Sequence, residues 1–235
     1  PQQKFLSFIY DASTVKGCLA LTQAVKAEGT SLDALVMTVA SWPKKDVPVA
    51  GDGVDHVVAL MVIARFVMVQ ELCPLMKPGS RVMNVLSSTL MMYPVSVKKM
   101  QEVLAGEKAN MVHLMCATAI SADAFLQQAA VHFPKLHFIG THPGFVDTGL
   151  CSETFSGCFL GLKNCVYPCL PAYRTEEKIG IVEASILCSS QAAKRDVTYF
   201  NALLEARRAE PKAYDKEYSA WLWTYLEGFV KDHAK

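Results

Sequence analysis

The chain of 235 residues lacks a surplus of either charge: 23 Lys and Arg stand against 22 Asp and Glu, a formal net charge of +1. No global field therefore argues for nucleic acid or for an anionic membrane. The basic pairs Lys44-Lys45, Lys98-Lys99 and Arg207-Arg208 are scattered and read as solvated faces. An unbroken apolar run is missing as well. The longest tract, Val57 to Met76, is interrupted by Arg65 and by Gln70-Glu71, which favours a buried helix over a transmembrane segment. There is no His-x-x-x-His spacing and no double pair of closely spaced cysteines, so no metal site is expected. The glycine-rich turn Gly-x-x-x-Gly-x-Gly, which brings backbone close to a pyrophosphate, is absent from the sequence.

What is present is the composition of one large domain spanning residues 1–235, with 51% hydrophobic residues and 19% charged. Eight cysteines lie mostly within apolar stretches, as small hydrophobes do in a reducing compartment such as the cytoplasm or the mitochondrial matrix. Four of them cluster between Cys151 and Cys169, where thiols on one helical face are the simpler reading.

Hydrophobic periodicity orders the elements. Phe5–Tyr10 predicts a strand leaving through Asp11, and Thr14–Ala27 a helix. Leu32–Ala40 is a continuous apolar run, expected to be a strand buried on both faces. Val54–Met76 is a long helix stopped by Lys77-Pro78-Gly79. Arg81–Ser87 is a strand, Val95–Leu104 a short surface helix, Ala109–Phe133 a long apolar helix, and Lys135–Thr141 the next strand. Residues 150–173 are loose. Thr175 caps a helix to Cys188, Val197–Phe200 is a short strand, and Tyr214–Val230 is a last helix carrying Trp221 and Trp223. Strands alternate with helices, which implies an α/β fold with a parallel sheet covered on both faces.

The order and several segments resemble the short-chain dehydrogenase/reductase family, most closely its retinol dehydrogenase and WW-domain oxidoreductase branch. Residues 142–148, His-Pro-Gly-Phe-Val-Asp-Thr, are the most specific match. Leu32-Asp33-Ala34-Leu35-Val36, the stretch 71–88, Tyr199-Phe200 and the Ala220–Trp223 helix add to it. The resemblance implies a Rossmann-like sheet that starts at the family's third strand and lacks the first β-α-β portion, about fifty residues. It also implies that Asp11 lies near an adenine site, that Pro143, Gly144 and Thr148 line a cofactor site, and that Ser87 is the family's catalytic serine.

Other family positions are altered. The catalytic Tyr-x-x-x-Lys falls at Met115 and Ala119, the structural Asn at Met61, and the strand-four Asn-Asn-Ala-Gly at Met37–Ala40. A Tyr and a Lys one helical turn apart form a couple in which the ammonium lowers the phenol pKa. Methionine and alanine carry no exchangeable proton, and general acid–base help is worth about 10²–10⁴-fold in rate.

The expectation is thus a catalytically degenerate homologue. It would need no cofactor and act as a structural or interaction subunit of a dimer or larger assembly. Helices 54–76 and 109–133 would be its contact surfaces. The alternative is an NAD(P)-dependent oxidoreductase whose nucleotide-binding N-terminus lies outside this sequence. A third reading is a module that keeps the pocket for a lipid-like ligand.

Overall fold

The computed structural model describes residues 4–43, 49–86, 95–147, 173–193, 197–201 and 203–235. Strands β1 (Leu32–Met37), β2 (Met76–Val85), β3 (His137–His142), β6 (Val197–Asn201) and β7 (Ala206–Arg207) form one sheet in that spatial order. The first four run parallel and β7 returns antiparallel along β6. Strands β4 (Phe145–Asp147) and β5 (Tyr173–Thr175) make a small separate parallel pair.

Period-two alternation divides the sheet between two cores. Val82, Phe138 and Tyr199 point into the larger one, against α1 (Val15–Ala27), α2, α4 (Met111–His132) and α6 (Lys216–His233). Met83, Ile139 and Phe200 point the other way and pack with Ile186 of α5 (Glu176–Cys188) and with Ala192. The helices therefore lie on both faces, as the continuous apolar strands require. Helix α2 is composite: His56–Val58, a π-helical turn Ala59–Ile63, then Ala64–Leu72, closed by the 3₁₀ turn Cys73–Leu75.

The helix starts follow their caps. Thr14, Ser96, Asn110, Thr175 and Asp215 each accept a backbone N–H with the side chain, opening α1, α3 (Val97–Leu104), α4, α5 and α6. Helices α2, α4 and α6 meet at an aromatic knot. The Phe66 and Trp223 rings stand edge to face with centroids 5.1 Å apart, and Phe125 stacks on Trp223 at 6.1 Å. The Tyr218 hydroxyl pairs with Ser121 Oγ at 2.6 Å, and Tyr225 donates to the Leu104 carbonyl at 2.7 Å. These bonds give two phenol rings of α6 polar anchors on α4 and at the end of the helix before it.

Four sequence expectations need correction. Residues 5–10 do not enter a sheet: among the described residues nothing pairs with them, and their side chains are exposed. Leu32–Met37 is a strand, but an edge strand rather than one buried on both faces, because among the described residues β2 is its only neighbour in the sheet. Lys77-Pro78-Gly79 does not separate helix from strand. It lies within β2, where the pairing jumps from Leu32 opposite Met76 to Ala34 opposite Arg81. Finally, interruption by Arg65 does not exclude a membrane-crossing helix. His56–Leu75 and Met111–His132 are each long and apolar enough to cross a bilayer, but 78% and 83% of them are buried inside the protein, the position of core helices.

One close approach is set by a missing side chain. A Cβ on Gly140 would stand 2.4 Å from the ring of Tyr199, its partner across β3 and β6. Gly140→Ala is expected to lower stability by about 1–3 kcal/mol through overpacking, read as a drop in the urea midpoint at unchanged slope.

Candidate functional site

In open parallel sheets ligands bind beyond the carboxyl ends of the strands. In this chain those ends converge on three buried ionisable side chains, each drawn from an otherwise apolar stretch. Arg65 comes from α2, Asp123 from α4, and His142 from the last residue of β3.

Arg65 is 1% exposed. Its Nη2 donates to the Val39 carbonyl at 2.6 Å, just after β1, and its Nη1 to the Val85 carbonyl at 2.8 Å, at the end of β2. The same Nη1 also donates to Asn84 Oδ1, and Asn84 is fully buried. The planar guanidinium thus joins the carboxyl ends of two neighbouring strands. Burial pulls its pKa down to about 10, and the Asp123 carboxylate resists that shift. The π-helical turn Ala59–Ile63 immediately precedes this residue, a backbone irregularity often found beside special side chains.

The Asp123 side chain is wholly buried, with His142 Nε2 3.7 Å from its Oδ1. Burial raises the carboxyl pKa, and His142 pulls it back. The imidazole stacks nearly parallel to Tyr199, with centroids 6.0 Å apart. The Tyr199 hydroxyl donates to the Asp123 backbone carbonyl at 3.1 Å and accepts from Gln127 Nε2 at 2.8 Å. On the far side of His142, burial raises the pKa of Glu183 in α5, while Thr141 and His142 lower it.

The sequence-predicted residues are distributed differently. Asp11 serves its own turn: its carboxylate accepts from Ser13 N at 2.9 Å and from Ser13 Oγ at 2.7 Å, and these bonds hold its pKa below the usual value. The Asp11 carbonyl also lies where a Cβ on Gly17 would sit, at 1.9 Å, so the first turn of α1 closes directly over it. Pro143 and Gly144 follow β3 directly, and Gly144 adopts φ 76°, the left-handed region that suits glycine. Met61, Met115 and Ala119 are all buried in the apolar interior rather than lining an opening. Ser87 and Thr148 lie outside the described residues. A half-open cleft of about 1140 Å³ lies elsewhere, between the C-terminal half of α4 and β6–β7, lined by Gln127, Val131, Tyr199 and Arg207 among others.

The Arg65, Asp123 and His142 cluster was not anticipated, although a signal existed. Arg65 is the one charge between Val57 and Val69, and Asp123 the one acid in α4. A lone charge in an apolar helix has to be paired or solvated. Its partners come from other elements, so spacing along the chain could not name them. Chemically, the cluster sets a buried carboxyl and an imidazole side by side at 3.7 Å, beyond hydrogen-bond reach of each other. The candidate cofactor positions supply no phenol–ammonium couple.

No protein-family model matches the chain, and no curated protein does. Solved structures do match. An uncharacterized protein from Mycobacterium Paratuberculosis aligns with TM-score 0.64 at 14% identity, over 94% of this chain and 74% of that one. The 3-alpha-hydroxysteroid dehydrogenase from Pseudomonas sp., solved with NADH, aligns with TM-score 0.60 at 17% identity, over 82% and 81%. A short chain dehydrogenase from Burkholderia cenocepacia, solved with NADP, aligns with TM-score 0.56 at 16% identity, over 82% and 72%. The fold is the Rossmann-like one of solved short-chain dehydrogenase/reductases.

Two outcomes follow from the cluster. Arg65→Met strands two strand-end carbonyls and the Asn84 side chain, and is expected to cost about 3–5 kcal/mol in denaturant titrations at neutral pH. The raised pKa of Glu183 means that the folded state binds its proton more tightly than the unfolded chain does. That carboxyl therefore weakens the fold once pH rises above its ordinary value. Glu183→Gln should be more stable than the parent at pH 8, and the difference should close as pH falls below the ordinary carboxylate range, measured by thermal melts across pH.

Proposed function

We propose that the chain is a catalytically degenerate homologue of the short-chain dehydrogenase/reductases that works as a structural or interaction subunit. The observation that carries this reading is the state of α4. The positions that resemble the family's tyrosine and lysine are Met115 and Ala119, and both are packed into the core. A hydride-transferring site needs a proton donor and acceptor one turn apart on an accessible helix face. This helix presents a thioether and a methyl group to its neighbours instead.

Of the ionisable groups near the carboxyl ends of the strands, Arg65 is tied to the sheet itself, its two Nη atoms donating to Val39, Asn84 and Val85. Asp123 and His142 face each other in a dry setting. Such a network holds the strand ends together whether or not anything binds above them. Cys18, Cys73 and Cys188 are free thiols, which suits a reducing compartment.

The competing reading is an NAD(P)-dependent oxidoreductase, supported by neighbours solved with NADH or NADP. Fluorescence titration with NADPH separates the two. On the degenerate reading, no saturable quenching or energy transfer from the tryptophans develops up to about 1 mM nucleotide. Saturation in the micromolar range, together with turnover of any carbonyl substrate, would overturn it.

A further inference from the structure

None of Arg65, Asp123 and His142 lines the half-open cleft between α4 and the β6–β7 hairpin. That cleft opens beside the start of β6, whereas the buried cluster stands at the carboxyl ends of the strands. Its origin is a parting of two strands. Strand β7 pairs with β6 only where Arg207 faces Tyr199 and Ala206 faces Phe200. Continued further, the ladder would set Arg208 beside Thr198 and Ala209 beside Val197. Instead the Ala209 N–H donates to the Tyr214 hydroxyl at 3.1 Å, and the chain turns away.

The outer backbone edge of Val197 and Thr198 is therefore unpaired among the described residues. Such an edge offers donors and acceptors to whatever enters. Thr198 Oγ1 is also buried with no hydrogen-bond partner, a state that calls for one.

The charges around the cleft are unequal. Arg207 and Arg208 both line it, and among the described residues no acidic side chain does. Arg207 Nη2 pairs with Glu205 Oε2 at 2.8 Å, and Lys212 close by pairs with Glu210 at 2.9 Å. Arg208 has neither an ion pair nor a side-chain hydrogen bond among the described residues, so its charge is unanswered. Other parts of the wall are apolar. Val131 is 69% exposed and Tyr214 44%, two large side chains left open to water on this cleft.

We propose that the cleft binds an amphipathic organic anion, its carboxylate or phosphate head held by Arg208 and its apolar body laid along Val131 and Tyr214. A guanidinium suits either head, because its planar donors match two oxygens at once. The volume of about 1140 Å³ lies just above the range usual for ligand pockets, about 300–1,000 Å³, as expected of a hollow open along one side. The proposal goes beyond the interaction-subunit reading and does not depend on it.

Isothermal titration calorimetry of the whole chain tests it, with dodecanoate and dodecyl phosphate as probes, both below their micellar range. Inorganic phosphate and dodecanol supply the head and the body alone. The expected result is saturable one-to-one binding of at least one amphiphile with Kd below about 100 µM, and the tighter of the two names the head group. Arg208→Gln changes an exposed side chain with no described partner to lose, so it should keep the parent's thermal midpoint. It should weaken the amphiphile by about tenfold or more, since a charge-assisted hydrogen bond is lost. Val131→Ser should weaken it by a smaller factor, and inorganic phosphate and dodecanol should each bind more weakly than the amphiphile. Absence of saturation with both amphiphiles overturns the proposal. Binding that survives Arg208→Gln undiminished, or dodecanol binding as tight as dodecanoate, overturns it as well, because either result makes the cleft merely apolar.

Discussion

A single buried cation ties the carboxyl end of this sheet together. Arg65 is removed from water almost completely, which for an isolated guanidinium would be prohibitive. It is tolerated because its donors meet acceptors that themselves have few other partners: the Val39 carbonyl after β1, the Val85 carbonyl ending β2, and the Asn84 amide. The Asp123 carboxylate supplies opposing charge within the same core. Strand ends in parallel sheets leave polar backbone groups where ligands commonly dock. Here a side chain from the protein's own longest apolar stretch takes up some of those groups.

Fold and chemistry place different demands on a sequence. The fold shared with NADH- and NADP-bound dehydrogenases holds at 16–17% identity because it rests on alternation and helix packing rather than on particular residues. Catalysis depends instead on a few exchangeable protons at fixed spacing. The interior of α4 is filled by Met115, Ala119 and their neighbours, and its one acid is turned toward His142 rather than outward.

Much of the architecture was legible from residue pattern. Thr175 marked a helix start because a short oxygen-bearing side chain at that position satisfies a free N–H locally. Arg81–Ser87 and Lys135–Thr141 were legible as strands, and both lie within the sheet as β2 and β3. The burial of Leu32–Met37 was misjudged, because an apolar run reports what a strand could bury and not whether a neighbour is there to bury it. Phe5–Tyr10 failed for the same reason: strand propensity is a local property, and pairing is not. The Lys77-Pro78-Gly79 breaker was real as a disturbance, yet β2 absorbs it as an irregularity in its register with β1.

The candidate site divides along the same line. From sequence alone came the fold class, the element order, and the fact that no Tyr-x-x-x-Lys couple exists, since each of these is written in composition, period and spacing within a few turns of chain. Only the tertiary structure decided that Arg65 clamps β1 to β2, that Asp123 faces His142, and that Tyr199 fits against Gly140. Each of those contacts joins residues far apart in sequence, 19 positions for Asp123 and His142 and 59 for Gly140 and Tyr199. Nothing in the spacing of residues encodes a distance that arises only when separate strands and helices are stacked.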